Sequence, residues 1–476
     1  MPDSNIAHFT SLLDPDRLFP ADNKCREIAR NLFSEVEKLP IISPHGHTDP
    51  KWFAENKPFE NPTDLLVTPD HYLLRMLVSQ GISFEGLGIA KKDQQIAGEP
   101  ERVWRLFAEH YFLFRGTPSR MWLDHTFETL FGINEPLNAE TADSYYEKIS
   151  EKLGQPEFLP RALYEHFNIE AIATTESALD DLAWHDQIEQ SGWNGRVVTT
   201  YRPDSVVDPD FEGFQTNIKK FGEITQCDAS NYQGYLDAHR ARRAYFKQRG
   251  ATATDHGHAS AATADLSPQA AAQLYLKILN AEHSAADAEL FRGQMLTEMA
   301  KMSVEDGLVM QIHPGSDRNH SQEIMSNFGR DKGFDIPTQT DYVHALKPLL
   351  NAVGQRKELT LILFTLDETT YARELAPLAG AYPCLKLGPA WWFHDSAEGM
   401  MRFRQSATET AGFYNTVGFN DDTRAFCSIP ARHDVARRVD CAFLADQVAR
   451  GILRMDEAHE VAWELAYGLA KKAYRL

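Results

Sequence analysis

Eight short apolar runs of strand length alternate along this chain with segments of helical periodicity, and few folds accommodate that order. The runs are Pro40–His47, Ile169–Thr175, Arg196–Arg202, Thr252–His256, Leu308–His313, Leu359–Phe364, Cys384–Leu387 and Thr416–Asp421, several of them ending in His, Asp, Arg or Thr. Near-continuous apolar character suits strands buried on both faces of a parallel sheet, and parallel strands need crossover connections. Ala178–Gln190, Pro268–Glu282, Tyr342–Ala352 and Glu398–Ala411 have the spacing for crossover helices. The alternation predicts an α/β fold, and eight such units predict a closed (β/α)8 barrel. An open doubly wound sheet shares this periodicity, so the placement of polar residues has to separate the two.

About 120 residues lie between the first run and the second, far more than one crossover helix needs. We expect a mostly helical subdomain inserted there, over residues 51–168, with helices at Glu99–Phe114 and Ala142–Leu153. Residues 1–38 read as an N-terminal helical segment, 39–50 and 169–454 as the catalytic barrel, and 455–476 as a C-terminal helix packing outside it. The 476 residues are 43% hydrophobic and 11% aromatic, which suffices for a large core and excludes a disordered or fibrous chain.

A formal charge of −20, from 68 acidic and 48 basic residues, repels nucleic acid and anionic membrane surfaces. No partner of either kind is expected, and homo-oligomerisation is left open. Cys25, Cys227, Cys384, Cys427 and Cys441 form no CxxC pair, so neither a disulfide framework nor a cysteine-rich zinc site is expected. The N-terminus lacks the basic stretch and apolar run of a signal peptide, and no segment has the length of a membrane span. These features predict a soluble cytoplasmic protein.

The chemistry concentrates at strand ends. In Ile41-Ile42-Ser43-Pro44-His45-Gly46-His47-Thr48-Asp49-Pro50 an apolar strand runs into two histidines one residue apart. A period of two turns His45 and His47 to the same side, where both imidazoles reach one metal ion. Gly46 leaves the opposite side free for close packing. Further ligands would come from other strand ends, and His313, Asp422 and His256 qualify. Asp422 follows the last strand, which closes the barrel beside the first. No lysine stands at the ends of the third, fourth or fifth runs, which favours one ion over a lysine-bridged pair.

Arginines gather on the same loops: Arg202, Arg318, Arg424, Arg432, Arg437 and Arg438. Guanidinium groups pair with carboxylates through two parallel hydrogen bonds, so a cluster of them suits an anionic substrate in an acidic protein. Arg202 and Arg424 stand closest to strand ends, while Arg437 and Arg438 read as solvated surface charges. Asp70-His71-Tyr72 opens a helical stretch of the insertion, where Tyr72 can relay a proton. Trp391 and Trp392, after the seventh strand, offer flat walls for a sugar ring.

Together these segments resemble the uronate isomerase (glucuronate isomerase) family of the amidohydrolase superfamily. The resemblance rests on His45-Gly46-His47-Thr48-Asp49-Pro50, Asp70-His71-Tyr72, Tyr201-Arg202-Pro203-Asp204, Asp255-His256-Gly257, Met310-Gln311-Ile312-His313, Arg318-Asn319, Trp391-Trp392-Phe393, Asp422-Thr423-Arg424-Ala425-Phe426 and Arg432-His433. It implies one divalent ion, commonly zinc, on His45, His47 and Asp422. The implied enzyme interconverts D-glucuronate with D-fructuronate and D-galacturonate with D-tagaturonate. Asp422 is then also the proton-transferring base, assisted by Tyr72 and Arg424, with Arg202, His71, His313, Arg318, Trp391 and Trp392 around the hexuronate. Pro314 and Asp317 depart from the family pattern, which leaves the parts of His313 and Arg318 open. Aldose–ketose isomerisation needs a base to move a proton between C2 and C1 through a cis-enediol and a second group to shuttle protons between the oxygens. A mononuclear metal-dependent hydrolase of the same superfamily, or a non-catalytic binder of acid sugars, would use many of the same residues.

Overall fold

The computed structural model describes residues 11–94 and 99–476. Of the expected N-terminal segment, residues 1–10 lie outside the described residues. Nine strands follow in chain order: β1 (Ile41–Ser43), β2 (Ile169–Ser177), β3 (Val197–Arg202), β4 (Ala253–His256), β5 (Val309–Ile312), β6 (Ser316–Asp317), β7 (Ile336–Pro337), β8 (Leu361–Leu363) and β9 (Leu385–Leu387). Seven form one parallel sheet in the order β1-β2-β3-β4-β5-β8-β9, while β6 and β7 pair with each other in an antiparallel ribbon.

The expected eighth strand, Thr416–Asp421, is reduced to a single parallel bridge between Leu387 and Thr416. Gly418 is the reason. Its φ of 74° breaks the extended conformation, and a Cβ there would come within 2.9 Å of the Leu465 carbonyl oxygen, so only glycine fits without strain. The chain still occupies the eighth position: Leu387 N donates to Asn415 O at 2.8 Å, and across the seam His47 N donates to Thr423 O at 3.0 Å. That contact returns the sheet to β1 and closes a (β/α)8 barrel.

Strand parity divides the core in two. Met310, Ile312, Leu361, Leu363, Leu385 and Leu387 face outward onto the crossover helices. Ala253, Val309, Ile362 and Phe364 face inward and fill the barrel together with Val417, Trp391 and Tyr474. Crossover helices form where expected, at Pro268–Leu279, capped by Ser267, and Ala397–Ala411, capped by Ser396. The other two begin later than their periodicity suggests, at Ala183 and Lys347.

Between β1 and β2 the described residues form helices and turns. Several helices open with proline at the first position, at Pro50, Pro62 and Pro118, behind the side-chain caps Asp49, Asn61 and Thr117; proline there forfeits only a hydrogen bond that a helix start lacks anyway. Their apolar faces share a core of Phe53, Trp104, Phe107 and Tyr145 with Ile41 and Ile169 of the barrel.

Two expectations need correction. Arg437 and Arg438 are buried, not solvated: Arg437 donates to the carbonyls of Glu37, Leu39 and Pro40, fixing the chain as it enters β1, and Arg438 pairs with Asp434 and donates to Pro15 O. Helix Ile429–Ala449, which carries both, is covered on nearly every face. The C-terminal helical segment begins outside the barrel at Met455, but its last turn sends Tyr474 into the barrel interior. Among the described residues no helix is long and apolar enough to cross a membrane.

Candidate active site

At the carboxyl ends of the strands the two histidines after β1 converge on the last-strand aspartate. His45 Nε2 lies 3.6 Å and His47 Nε2 3.2 Å from Asp422 Oδ1. Gly46, between them, packs where a Cβ would meet Thr423 O at 3.4 Å and Ala173 O at 3.5 Å, so the turn is tight on its far side as the spacing predicts. Burial pushes the His45 imidazole down to about 4 against the pull of Asp422 and Asp255; it is neutral near pH 7, as a metal ligand must be.

Asp422 adopts a φ of 35°, uncommon for a residue with a side chain. Its surroundings enforce the conformation. The preceding Asp421 is clamped by Ser43 Oγ at 3.1 Å and His433 Nε2 at 3.0 Å, and its carbonyl accepts from Arg432 at 3.3 Å. Trp391 Nε1 donates to Asp422 Oδ2 at 2.6 Å. Burial alone would raise the Asp422 carboxyl, but its contacts with the His45 and His47 imidazoles outweigh it and hold the group well below the usual carboxylate range.

A third imidazole joins them. His45, His313 and Asp422 bring ligand atoms within 4.8 Å of one another, a set that can hold a metal ion. The ring of His313 stacks on that of His45 at 4.9 Å. Its Nδ1 lies 2.6 Å from Asp255 Oδ1, while its Nε2 is buried without a hydrogen-bond partner. A carboxylate on Nδ1 keeps the proton there and leaves Nε2 its lone pair, as in histidines that give Nε2 to a metal. An orphaned basic nitrogen beside a carboxylate and a second imidazole fits a divalent cation.

Asp255 is the functional residue that sequence reasoning passed over in favour of His256. Parity decides between them: in β4 Asp255 points inward, whereas His256 turns away, its Nε2 3.1 Å from Thr254 Oγ1. Burial would raise the Asp255 carboxyl, but Arg202, His313 and His45 hold it far below its ordinary value. Arg202 is committed to this network, with Nη1 3.0 Å from Asp255 and Nε 2.8 Å from Asp204.

Above the cluster opens a cavity of about 830 Å3 lined by His47, His71, Tyr72, Arg202, Arg318, Trp391, Trp392, Asp422, Arg424 and Arg432. Arg318 has no carboxylate within ion-pairing distance among the described residues, and its guanidinium lies 5.7 Å from the Trp392 ring. Arg424, at the rim, pairs with Asp331 at 3.3 Å. The two tryptophans differ: Trp391 is buried and orients Asp422, whereas Trp392 is partly open to the cavity. His71 stands edge-on to Trp392 at 5.7 Å, and burial lowers its imidazole to about 3, so it is neutral. The Tyr72 hydroxyl is 3.2 Å from Asp395 Oδ2, which also accepts from Arg432 Nη1 at 2.8 Å. Burial, then Asp395, raises the Tyr72 hydroxyl well above its ordinary value.

A closed parallel barrel with a strand-end cluster fit for a cation, beneath a cavity rich in guanidinium groups, defines a (β/α)8-barrel protein with a candidate metal-assisted site for an anionic ligand. Comparison with known proteins narrows the class. The family model for glucuronate isomerase matches residues 21–474, and the chain belongs to that family. A uronate isomerase of Mesorhizobium japonicum is 65% identical over 467 residues, 98% of this chain and 100% of that protein. That of Rhizobium meliloti is 64% identical, covering 98% of this chain and 99% of that one. The crystal structure of glucuronate isomerase from Caulobacter crescentus, 57% identical, superposes with a TM-score of 0.96 over 98% of this chain and 97% of that one.

Proposed function

We propose that the protein is a cytoplasmic uronate isomerase that interconverts D-glucuronate with D-fructuronate and D-galacturonate with D-tagaturonate. The observation that carries the reading is the joint presence, in one cavity, of a clamped carboxylate (Asp422), a phenol (Tyr72) and a guanidinium (Arg318) that forms no ion pair among the described residues. Five free thiols, three of them buried, fit a reducing compartment.

In this reading Asp422, ionised and fixed by Trp391, carries the proton between C2 and C1. Tyr72 moves a proton between the two sugar oxygens, its hydroxyl backed by Asp395. Arg318 receives the substrate carboxylate, and Arg424 closes the rim. Trp392 and His71 flank the ring. Arg202 acts through Asp255, because both its faces are already engaged by carboxylates. Holding the remote carboxylate lets binding energy orient C1 and C2 over the base. His45, His47, His313 and Asp422 would hold the divalent ion, with zinc favoured by imidazole and carboxylate donors. When bound, the ion supplies Lewis-acid stabilisation of the negative charge that develops on the sugar oxygens.

The test is turnover of each hexuronate by zinc-loaded protein, followed as ketose formed. Both substrates should be converted, and Asp422→Asn should lower kcat by about 100-fold or more, the usual contribution of a positioned base. Absence of ketose from either hexuronate would sink the isomerase reading.

A further inference from the structure

The cation cluster stands on a second polar layer whose centre comes from the end of the chain. Tyr474 is fully buried inside the barrel, its ring among Ala253, Val309, Ile362, Phe364 and Val417. Its hydroxyl donates to Gln311 Oε1 at 3.0 Å and accepts from Asn420 Nδ2 at 3.3 Å. Gln311 Nε2 in turn lies 3.5 Å from His45 Nδ1 and 3.4 Å from Thr254 O.

Both partners of this hydroxyl sit two residues before cluster residues, Gln311 before His313 and Asn420 before Asp422. Along β5 and just past it that spacing puts Gln311 and His313 on the same face, one layer apart, while Asn420 stands two residues before Asp422 in the segment that ends at its positive φ. One phenol thus bridges the strand that carries His313 and the segment that carries Asp422, and reaches His45 through Gln311. An imidazole that gives Nε2 to a metal carries its proton on Nδ1 and needs an acceptor there. The half-turn of the Gln311 amide that offers oxygen to a protonated His45 Nδ1 gives up the contact with Thr254 O and turns nitrogen toward Tyr474, and the phenol hydroxyl, which both donates and accepts, stays paired with Gln311 in either orientation.

We propose that Tyr474 is a positioning residue of the cation site: the C-terminal turn locks the layer beneath the ligands and sets their affinity for the ion. The inference rests on the reading of His45, His313 and Asp422 as ligands.

The experiment measures Zn2+ affinity by competition with a chromophoric chelator, alongside kcat and KM for D-glucuronate. Wild type should bind one ion per chain, and His45→Ala should lose it. Tyr474→Phe keeps the ring and removes the hydroxyl; its Zn2+ affinity should fall by about 10- to 100-fold, the range found when outer-shell partners are removed. With zinc in excess, its KM should stay within about twofold of wild type, because Tyr474 is remote from the cavity, and most of kcat should return. Gln311→Met fills the same space without the amide and should weaken Zn2+ comparably, with Tyr474→Phe adding little in that background, since both break one ladder. Far-ultraviolet circular dichroism of each metal-free variant establishes that it is folded.

If Tyr474→Phe and Gln311→Met, both folded, bind Zn2+ as wild type does while His45→Ala does not, the positioning role is overturned and the ligand reading stands. If His45→Ala binds zinc as wild type does, the ligand reading itself fails and the inference falls with it.

Discussion

Asp395 illustrates how burial and charge compete at one carboxylate. Burial raises it from 3.8 to about 6 in spite of Arg432, which lies beside it, and of the Tyr72 hydroxyl. Between those two values the unfolded chain has released this proton and the folded protein still holds it, so stability falls as pH rises from about 4 to about 6 and then levels off. A gap of about two pH units, at about 1.4 kcal/mol each, amounts to roughly 3 kcal/mol. Asp395→Asn cannot titrate, and the stability difference between wild type and this variant should shrink by up to that amount over the same interval. Urea unfolding at closely spaced pH values measures it, and a pH-independent difference would refute the assignment. At this scale the sequence reveals residues whose partners are near in sequence or related by strand parity: His45 and His47 are legible because two residues of extended chain share a face. Asp255 has the same signal, through parity within its strand, yet His256 beside it is the more conspicuous ligand type. Arg437 is not legible, because the carbonyls it satisfies at Glu37, Leu39 and Pro40 lie about 400 residues away in the chain.

Among elements, those that announce themselves carry their own punctuation. Helices that open on proline behind an Asp, Asn or Thr cap follow local rules, and Ala142–Leu153 and Pro268–Leu279 form where periodicity puts them. The eighth barrel position does not, because its geometry depends on what packs against it. A single glycine substitution tests this. Gly418 combines a φ of 74° with a neighbour, Leu465 O, 2.9 Å from any added Cβ, whereas Gly451 has a φ of 73° and open space around it. Gly451→Ala meets backbone strain alone, about 1 kcal/mol. Gly418→Ala meets strain and collision together and should lose about 2 to 3 kcal/mol, with the damage confined to the seam that places Asp422. Denaturant unfolding of the two variants gives the comparison; equal losses would mean that the C-terminal helix yields and that the seam is not rigid. The fate of residues 455–476 follows the same logic. Amphipathic spacing shows that a helix packs, but only the closed barrel, with an interior floor to fill, explains why Tyr474 turns inside.

For the whole molecule the unresolved tension in the sequence is between a charge of −20 and an anionic substrate. The structure separates the two by distance and burial. Most basic groups near the barrel mouth are already engaged: Arg202 by Asp204 and Asp255, Arg432 by Asp395 and Arg424 by Asp331. Among the described residues Arg318 forms no ion pair, and it lines the cavity, so the attraction that matters is a short-range pair in a partly dry pocket, and the repulsion is a long-range field in water. Salt acts on these unequally, since charges beyond about 8 Å are largely screened at physiological ionic strength and buried pairs much less. Raising NaCl from about 10 to 150 mM should therefore leave the wild-type KM for D-glucuronate unchanged or lower it by up to about threefold, as the exterior repulsion fades. Arg318→Ala should raise KM by about 10- to 100-fold at every salt concentration, the worth of one charge-assisted pair. A wild-type KM that climbs steeply with salt would mean that a diffuse positive surface, rather than Arg318, draws the hexuronate into this acidic molecule.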